Sequence, residues 1–130
     1  MQASGSPWMN RIGWGLTGLF TAFMLFDVGI KLARLPVVAE TLRDLGWPAD
    51  AGLMIGLLEG AALILYLVPR TSILGAILMT AILGGAVATH VRIGSPLVSH
   101  VLFGVYLGLF LWGGLWLRDP ALRNLFPLRR

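Results

Sequence analysis

The sequence predicts an all-α membrane protein: four transmembrane helices in an antiparallel bundle, with a short interfacial helix after the first. Two observations carry this expectation. Of the 130 residues, 57% are hydrophobic and 12% are charged, about half the charge of an ordinary soluble domain, and the mean hydropathy is +0.82. The apolar residues also fall into four runs, each long enough to cross a hydrocarbon layer of ~30 Å at ~1.5 Å per helical residue. The same composition excludes a disordered chain. The absence of cysteine excludes a disulfide framework, a thiolate metal site and a dithiol relay. A single transmembrane domain, residues 1–130, is the expected organisation.

Met1–Met9, with Ser4, Gly5, Ser6 and Pro7, reads as a short flexible lead without the charged start, apolar core and cleavage site of a secretory signal. The first span covers about Ile12 to Leu35, broken only by Asp27, Lys31 and Arg34. Residues 37–45 are amphipathic. Val38, Leu42 and Leu45 alternate with Glu40, Arg43 and Asp44 at helical spacing, and Gly46-Trp47-Pro48 closes the segment. This predicts a helix lying on the membrane surface, with Trp47 at the headgroup level. The second span runs from about Ala51 to Val68 and carries Glu59. Pro69-Arg70-Thr71 forces a tight hairpin into the third span, about 72–91. Ile93-Gly94-Ser95-Pro96 turns into the fourth, about 97–117, and a basic tail occupies 118–130.

Four crossings place both termini on one side, together with Arg11, Arg70, Arg118, Arg123, Arg129 and Arg130, six of the ten basic residues. Basic flanks favour the cytoplasm, so a multi-pass protein of the bacterial inner membrane with both termini cytoplasmic is expected. The formal charge of +4 is then directed at lipid headgroups, not nucleic acid. Helices in lipid associate through close packing of small residues. Gly52, Gly56 and Gly60, then Ala76, Thr80, Gly84 and Ala88, then Gly104 and Gly108 predict the inward faces. Phe20, Phe23 and Phe26 read as packing or lipid contacts.

An ionisable group near the bilayer centre costs roughly 2.5–3.5 kcal/mol on insertion scales and survives by facing inward with a partner. Asp27 lies eight residues before the outer end of the first span near Leu35, and Glu59 eight after the outer end of the second near Ala51. Both therefore sit roughly 12 Å below the outer face. Glu59 shares the face of Gly52 and Gly56. Lys31, four residues after Asp27, can pair with it. His90 and Arg92 end the third span, and His100 lies at the same level on the stripe of Gly104 and Gly108.

Two readings follow. In one, Asp27–Lys31 and Glu59–Arg92 or Glu59–His are ion pairs that lock helices together. In the other, these groups line an outer-half pocket for a hydrophobic small molecule with a polar head. Glu59, His90 and His100 would handle protons, as quinone reduction or a double-bond shift requires. Arg92 would anchor the polar head, with Asp27–Lys31 as the supporting ligand-binding pair. A quinone-like ligand suits this set. Glu59, His90 and His100 include the residue types of a metal site, but their spacing matches no metal motif, so no metal is expected, and bis-histidine haem is disfavoured. A non-enzymatic carrier or interaction subunit, with the polar cluster structural, is the alternative.

Pro69-Arg70-Thr71, Leu74-Gly75-Ala76 and the run Gly84-Gly85-Ala86-Val87-Ala88-Thr89-His90-Val91-Arg92 resemble the DoxX-like family of small membrane proteins. Gly29-Ile30-Lys31-Leu32, Leu58-Glu59, Trp112 and Leu117-Arg118-Asp119-Pro120 add to the likeness, which spans roughly Leu16 to Pro127. The resemblance implies four membrane helices and, for the family's namesakes, subunits of a thiosulfate:quinone oxidoreductase. It places the family's polar positions at Lys31, Glu59, His90 and Arg92, without assigning them catalytic roles. With no cysteine and no soluble redox domain, an electron donor would have to meet the quinone in the pocket or arrive through a redox partner subunit. A homo-oligomer is equally compatible with the glycine-rich faces.

Overall fold

A computed structural model describes residues 6–130. Among these residues the structure is all-helical. The elements are α1 (Pro7–Leu32), α2 (Pro36–Asp44), α3 (Ala51–Leu67), α4 (Ser72–Arg92), α5 (Phe103–Arg118) and α6 (Pro120–Leu125), with a 3-10 turn at Pro69–Thr71 and a π-helical turn at Leu97–Val101. Three segments are long and apolar enough to cross a membrane: Pro7–Leu32, Pro69–Arg92 and Leu97–Arg118. The apolar α3 is shorter, at 17 residues.

Local chemistry sets most boundaries. Pro7, Pro36 and Pro120 each open a helix, where a missing N–H costs nothing and φ is already helical. α1 starts at Pro7, earlier than the expected Ile12, so part of the expected flexible lead is helical; the remainder, residues 1–5, lies outside the described residues. It stops at Leu32, short of Leu35. Arg34 adopts φ 57°, and the Leu35 N–H bonds the Ile30 carbonyl, a termination that reverses the chain into Pro36. α2 ends the same way through Gly46, and α4 through Gly94.

α1 packs against α3 and α5, and α4 packs against the same two helices, so the four long helices form a ring in the order α1–α3–α4–α5. Phe20 and Met24 of α1, Tyr66 of α3, Met79 of α4 and Leu111 and Leu115 of α5 fill its centre. Leu19, Leu25, Phe26 and Ile64 point outward, as side chains solvated by lipid tails do. α2 lies across α3, with Val38 and Leu42 over Gly52.

The small-residue faces need correction. On α3, Gly52 and Gly56 are buried as expected. On α4, only Ala76 of the expected stripe is buried; Thr80, Gly84 and Ala88 are exposed. The packed face instead runs through Ser72, Gly75, Ala76, Met79 and Leu83, because the backbone of Tyr66 sits directly on Gly75. Gly104 packs on Val87 and Leu83, whereas Gly108 has open space around it. The tightest approach of α1 to α5 is at Gly13 and Gly114, a pair not anticipated from the sequence.

The fourth expected span is not one regular helix, since the π-helical turn at Leu97–Val101 precedes α5. The basic tail also folds. Asp119 Oδ1 accepts from the Ala121 N–H to start α6, and Leu122 is buried against the bundle. Arg123 donates to the carbonyls of Trp116 (2.8 Å) and Leu117 (2.9 Å), satisfying the open end of α5.

A Cβ on Gly114 would stand 2.5 Å from Thr17 Oγ1 and 2.9 Å from the Gly13 carbonyl oxygen. Gly114→Ala must therefore push α1 and α5 apart, and a loss of roughly 1–3 kcal/mol is expected. Gly84→Ala, with nothing near its Cβ, meets no such clash and should not lower stability. Reversible unfolding in mixed micelles measures both.

Candidate functional site

The polar centre of the molecule is built by α1 and α3. Lys31 and Asp27 are one turn apart on α1, so both side chains leave the helix on one face. Glu59 faces them from α3. Gly56, one turn before Glu59, makes this possible: a Cβ there would lie 2.9 Å from the Cβ of Lys31. The missing side chain lets the lysine stem run against α3. Lys31 Nζ then donates to Asp27 Oδ2 at 2.5 Å and to Glu59 Oε1 and Oε2 at 2.9 and 3.1 Å. Glu59 is buried, at 6% exposure, whereas Lys31 and Asp27 are half-buried.

This geometry corrects the expected pairing. Lys31 does pair with Asp27, but the partner of Glu59 is Lys31, not Arg92 or a histidine. Depth gave the signal that could have found it. Asp27 and Glu59 lie at one level on adjacent helices, and the lysine stem reaches both. A lone carboxylate in hydrocarbon is met by the nearest cation on the facing helix.

A cavity of about 450 Å³ opens beside the triad. Its lining is mostly apolar: Ile30 from α1, Val38 and Leu42 from α2, Trp47 from the following loop, Ile55 from α3 and Ile82 and Ala86 from α4. The polar groups are Asp27, Lys31, Glu59, His90 and Thr41. Its size and its few convergent polar atoms match those of ordinary small-molecule sites. Gly85 and Ala86 widen it by presenting almost no side chain.

His90 and His100 meet edge to face with ring centroids 5.7 Å apart. His90 lines the cavity and shares a hydrogen bond of 2.8 Å with Ser95 Oγ through Nδ1. His100 does not line it. The π-helical turn leaves His100 exposed, bonded through Nδ1 to Ser99 Oγ, instead of on the inward stripe of Gly104. Arg92 is not in the cavity either. Its Nη2 donates to the Leu45 carbonyl at 2.6 Å, a cation at the carbonyl end of α2. Gly46, at φ 83°, leaves the space the guanidinium occupies; a Cβ there would lie 2.9 Å from Nη2. Arg92 thus ties α4 to the end of the helix that roofs the cavity.

A second polar chain, unforeseen as a network, closes the opposite end. Arg118 Nε donates to Thr17 Oγ1 (3.1 Å), Thr17 bonds the Tyr66 hydroxyl (3.1 Å), and Tyr66 donates to the Leu111 carbonyl (2.7 Å). The Arg118 guanidinium lies 4.1 Å from the centre of the Trp14 ring, a cation–π contact. The cue was Arg118 at the end of an apolar helix, which snorkels along its neighbours. Among the described residues, no group of three or more His, Asp or Glu is placed to hold a metal ion.

Apolar helices of membrane-crossing length around a buried ion triad define an integral membrane protein with a polar-headed internal cavity. The chain belongs to the DoxX-like family, whose family model matches residues 15–114. That stretch contains Asp27, Lys31, Glu59, His90, Arg92 and His100. No curated protein and no solved structure matches the chain.

Lys31→Met leaves two carboxylates facing each other without a counter-ion, and a loss of roughly 3–5 kcal/mol is expected. Adding Asp27→Asn and Glu59→Gln to Lys31→Met should recover most of it, because no charge then remains unpaired. Unfolding of the single and triple variants in mixed micelles checks this. Arg92→Ala should leave the bundle folded but increase hydrogen exchange across α2 and residues 45–47, measured by mass spectrometry.

Proposed function

We propose that this chain crosses the bacterial inner membrane four times, with both termini cytoplasmic, and binds an apolar small molecule with a polar head in the cavity beside Lys31. At 17 residues, α3 is at the short end of the spanning range, but it lies between α1 and α4 and is joined to α4 by only a few residues. Its crossing completes the four-helix count. The cavity then lies toward the outer face, roofed by α2.

The observation that carries the reading is an apolar cavity of about 450 Å³ with its few polar groups grouped around one ion triad. The ligand's apolar body would contact Leu42, Trp47 and Ile82. Its head would meet Asp27 and Glu59 across Lys31, with His90 on the α4 side. Glu59 and His90 are the proton-handling pair in this reading, and His100 relays from His90 to the surface. A quinone-like ring is one class that fits, because its head exchanges protons. Reduction of such a ligand would also require an electron donor, and oxidation an electron acceptor, that meets it in the cavity or arrives through a partner subunit.

A second reading has a specific observation in its favour. Among the described residues, every hydrogen bond of the Lys31 ammonium is to a carboxylate of the chain itself, so the triad is also a helix-to-helix lock. A carrier or interaction subunit would use it in that way.

The absorption spectrum and lipid extract of the purified protein separate the two. A quinone or other chromophore retained by the wild type and lost in Ala86→Trp, which fills the cavity, supports the binding reading. Glu59→Gln should reduce retention about tenfold or more. Phospholipid alone, unchanged by either substitution, would leave the lock.

A further inference from the structure

We infer that the head group this cavity accepts carries positive charge, so that its ligand class is an apolar amine. The inference rests on the binding reading above and narrows it to one chemistry. It starts from what the triad leaves unused. An ammonium has three donors and no acceptor. Lys31 Nζ makes three contacts, to Asp27 Oδ2 and to both oxygens of Glu59. Among the described residues, every hydrogen bond of Lys31 thus goes to a carboxylate of the chain itself.

The acceptor side is not exhausted. Asp27 Oδ1 has no hydrogen-bond partner among the described residues, and Asp27 lines the cavity. The charge count agrees. Two carboxylates surround one ammonium, a formal surplus of one negative charge. Among the described residues, the only other ionisable group on the cavity wall is His90 of α4; α2 contributes Thr41 as its polar residue, and α5 contributes none. Arg92, two residues beyond His90, is committed to the Leu45 carbonyl. In surroundings of low dielectric a surplus charge acts strongly on a ligand a few ångströms away. A protonated amine placed at Asp27 Oδ1 makes a charge-assisted hydrogen bond and brings the local charge to zero. A carboxylate or sulfonate there meets a like charge.

Three ligands with one apolar cage and different heads test this: adamantan-1-amine, adamantan-1-ol and adamantane-1-carboxylate. Each is titrated calorimetrically into the purified full chain in detergent micelles, with Ala86→Trp as the reference for partition into the micelle. The amine is expected to bind at least about tenfold more tightly than the carboxylate, with the alcohol between. Asp27→Asn, nearly isosteric and half-exposed, should close that gap. Carboxylate binding equal to or tighter than amine binding overturns the inference, as does an amine preference that survives Asp27→Asn in a variant with wild-type melting. If the alcohol binds but the amine gains nothing over it, the cavity stands as a site and only the charge assignment falls. If none of the three binds beyond the Ala86→Trp reference, the binding reading fails and this inference fails with it. The ligand series on the wild type decides the matter even if the variant does not fold.

Discussion

One lysine held between two carboxylates of separate helices sets the geometry of one end of this molecule. Lys31 cannot sit in an apolar bundle alone, nor can Asp27 or Glu59. Together they satisfy one another, and the need to satisfy them fixes how far α1 is from α3 and how the two are rotated. Gly56 follows from the same constraint, because any side chain there would occupy the space of the lysine stem. The cavity follows too. Helices joined by an ion triad at one level, with Gly85 and Ala86 opposite, leave a gap that the apolar side chains do not fill.

The other end of the bundle is held differently. There the Arg118–Thr17–Tyr66 chain is hydrogen-bonded through neutral hydroxyls and ends on a backbone carbonyl. Gly13 and Gly114 bring α1 and α5 into backbone contact beside it. This end is tightly packed around Tyr66, which is fully buried. The two ends thus differ in what ties the helices, an ion triad at one and a hydroxyl chain with Arg118 at the other. Small residues remove volume where helices must touch, and paired charges hold helices where a space remains. The cavity of about 450 Å³ lies at the Lys31 end.

Much of the architecture was legible in the sequence, because composition and run length act directly on it. Apolar runs, the amphipathic segment at 37–45 and the turns at Gly46 and Gly94 each express a local rule. The depth argument also brought Asp27, Lys31, Glu59 and His90 to one region, and the structure places all four on one cavity. What could not be read was rotation. Whether α4 presents Thr80 or Met79 depends on where Tyr66 meets Gly75, a tertiary contact without local signature. The π-helical turn that carries His100 outward adds a residue to the helical repeat and so defeats a stripe argument. Arg92 was assigned by charge to the polar head, yet the carbonyl end of α2 offered a partner equally suited to it. Arg123 and the tail were read as basic charge directed at lipid headgroups, whereas the open carbonyls of α5 recruit Arg123.

The central claim is the contact between Lys31 and Glu59 across α1 and α3. It is tested most directly in lipid bilayers by carbon–nitrogen dipolar recoupling between Lys31 Nζ and the side-chain carboxyl carbon of Glu59. Hydrogen-bond contact requires a separation of under about 4 Å, and strong dephasing is expected. Dephasing no greater than for a nitrogen and carbon beyond about 6 Å, where no hydrogen bond can form, would contradict the account.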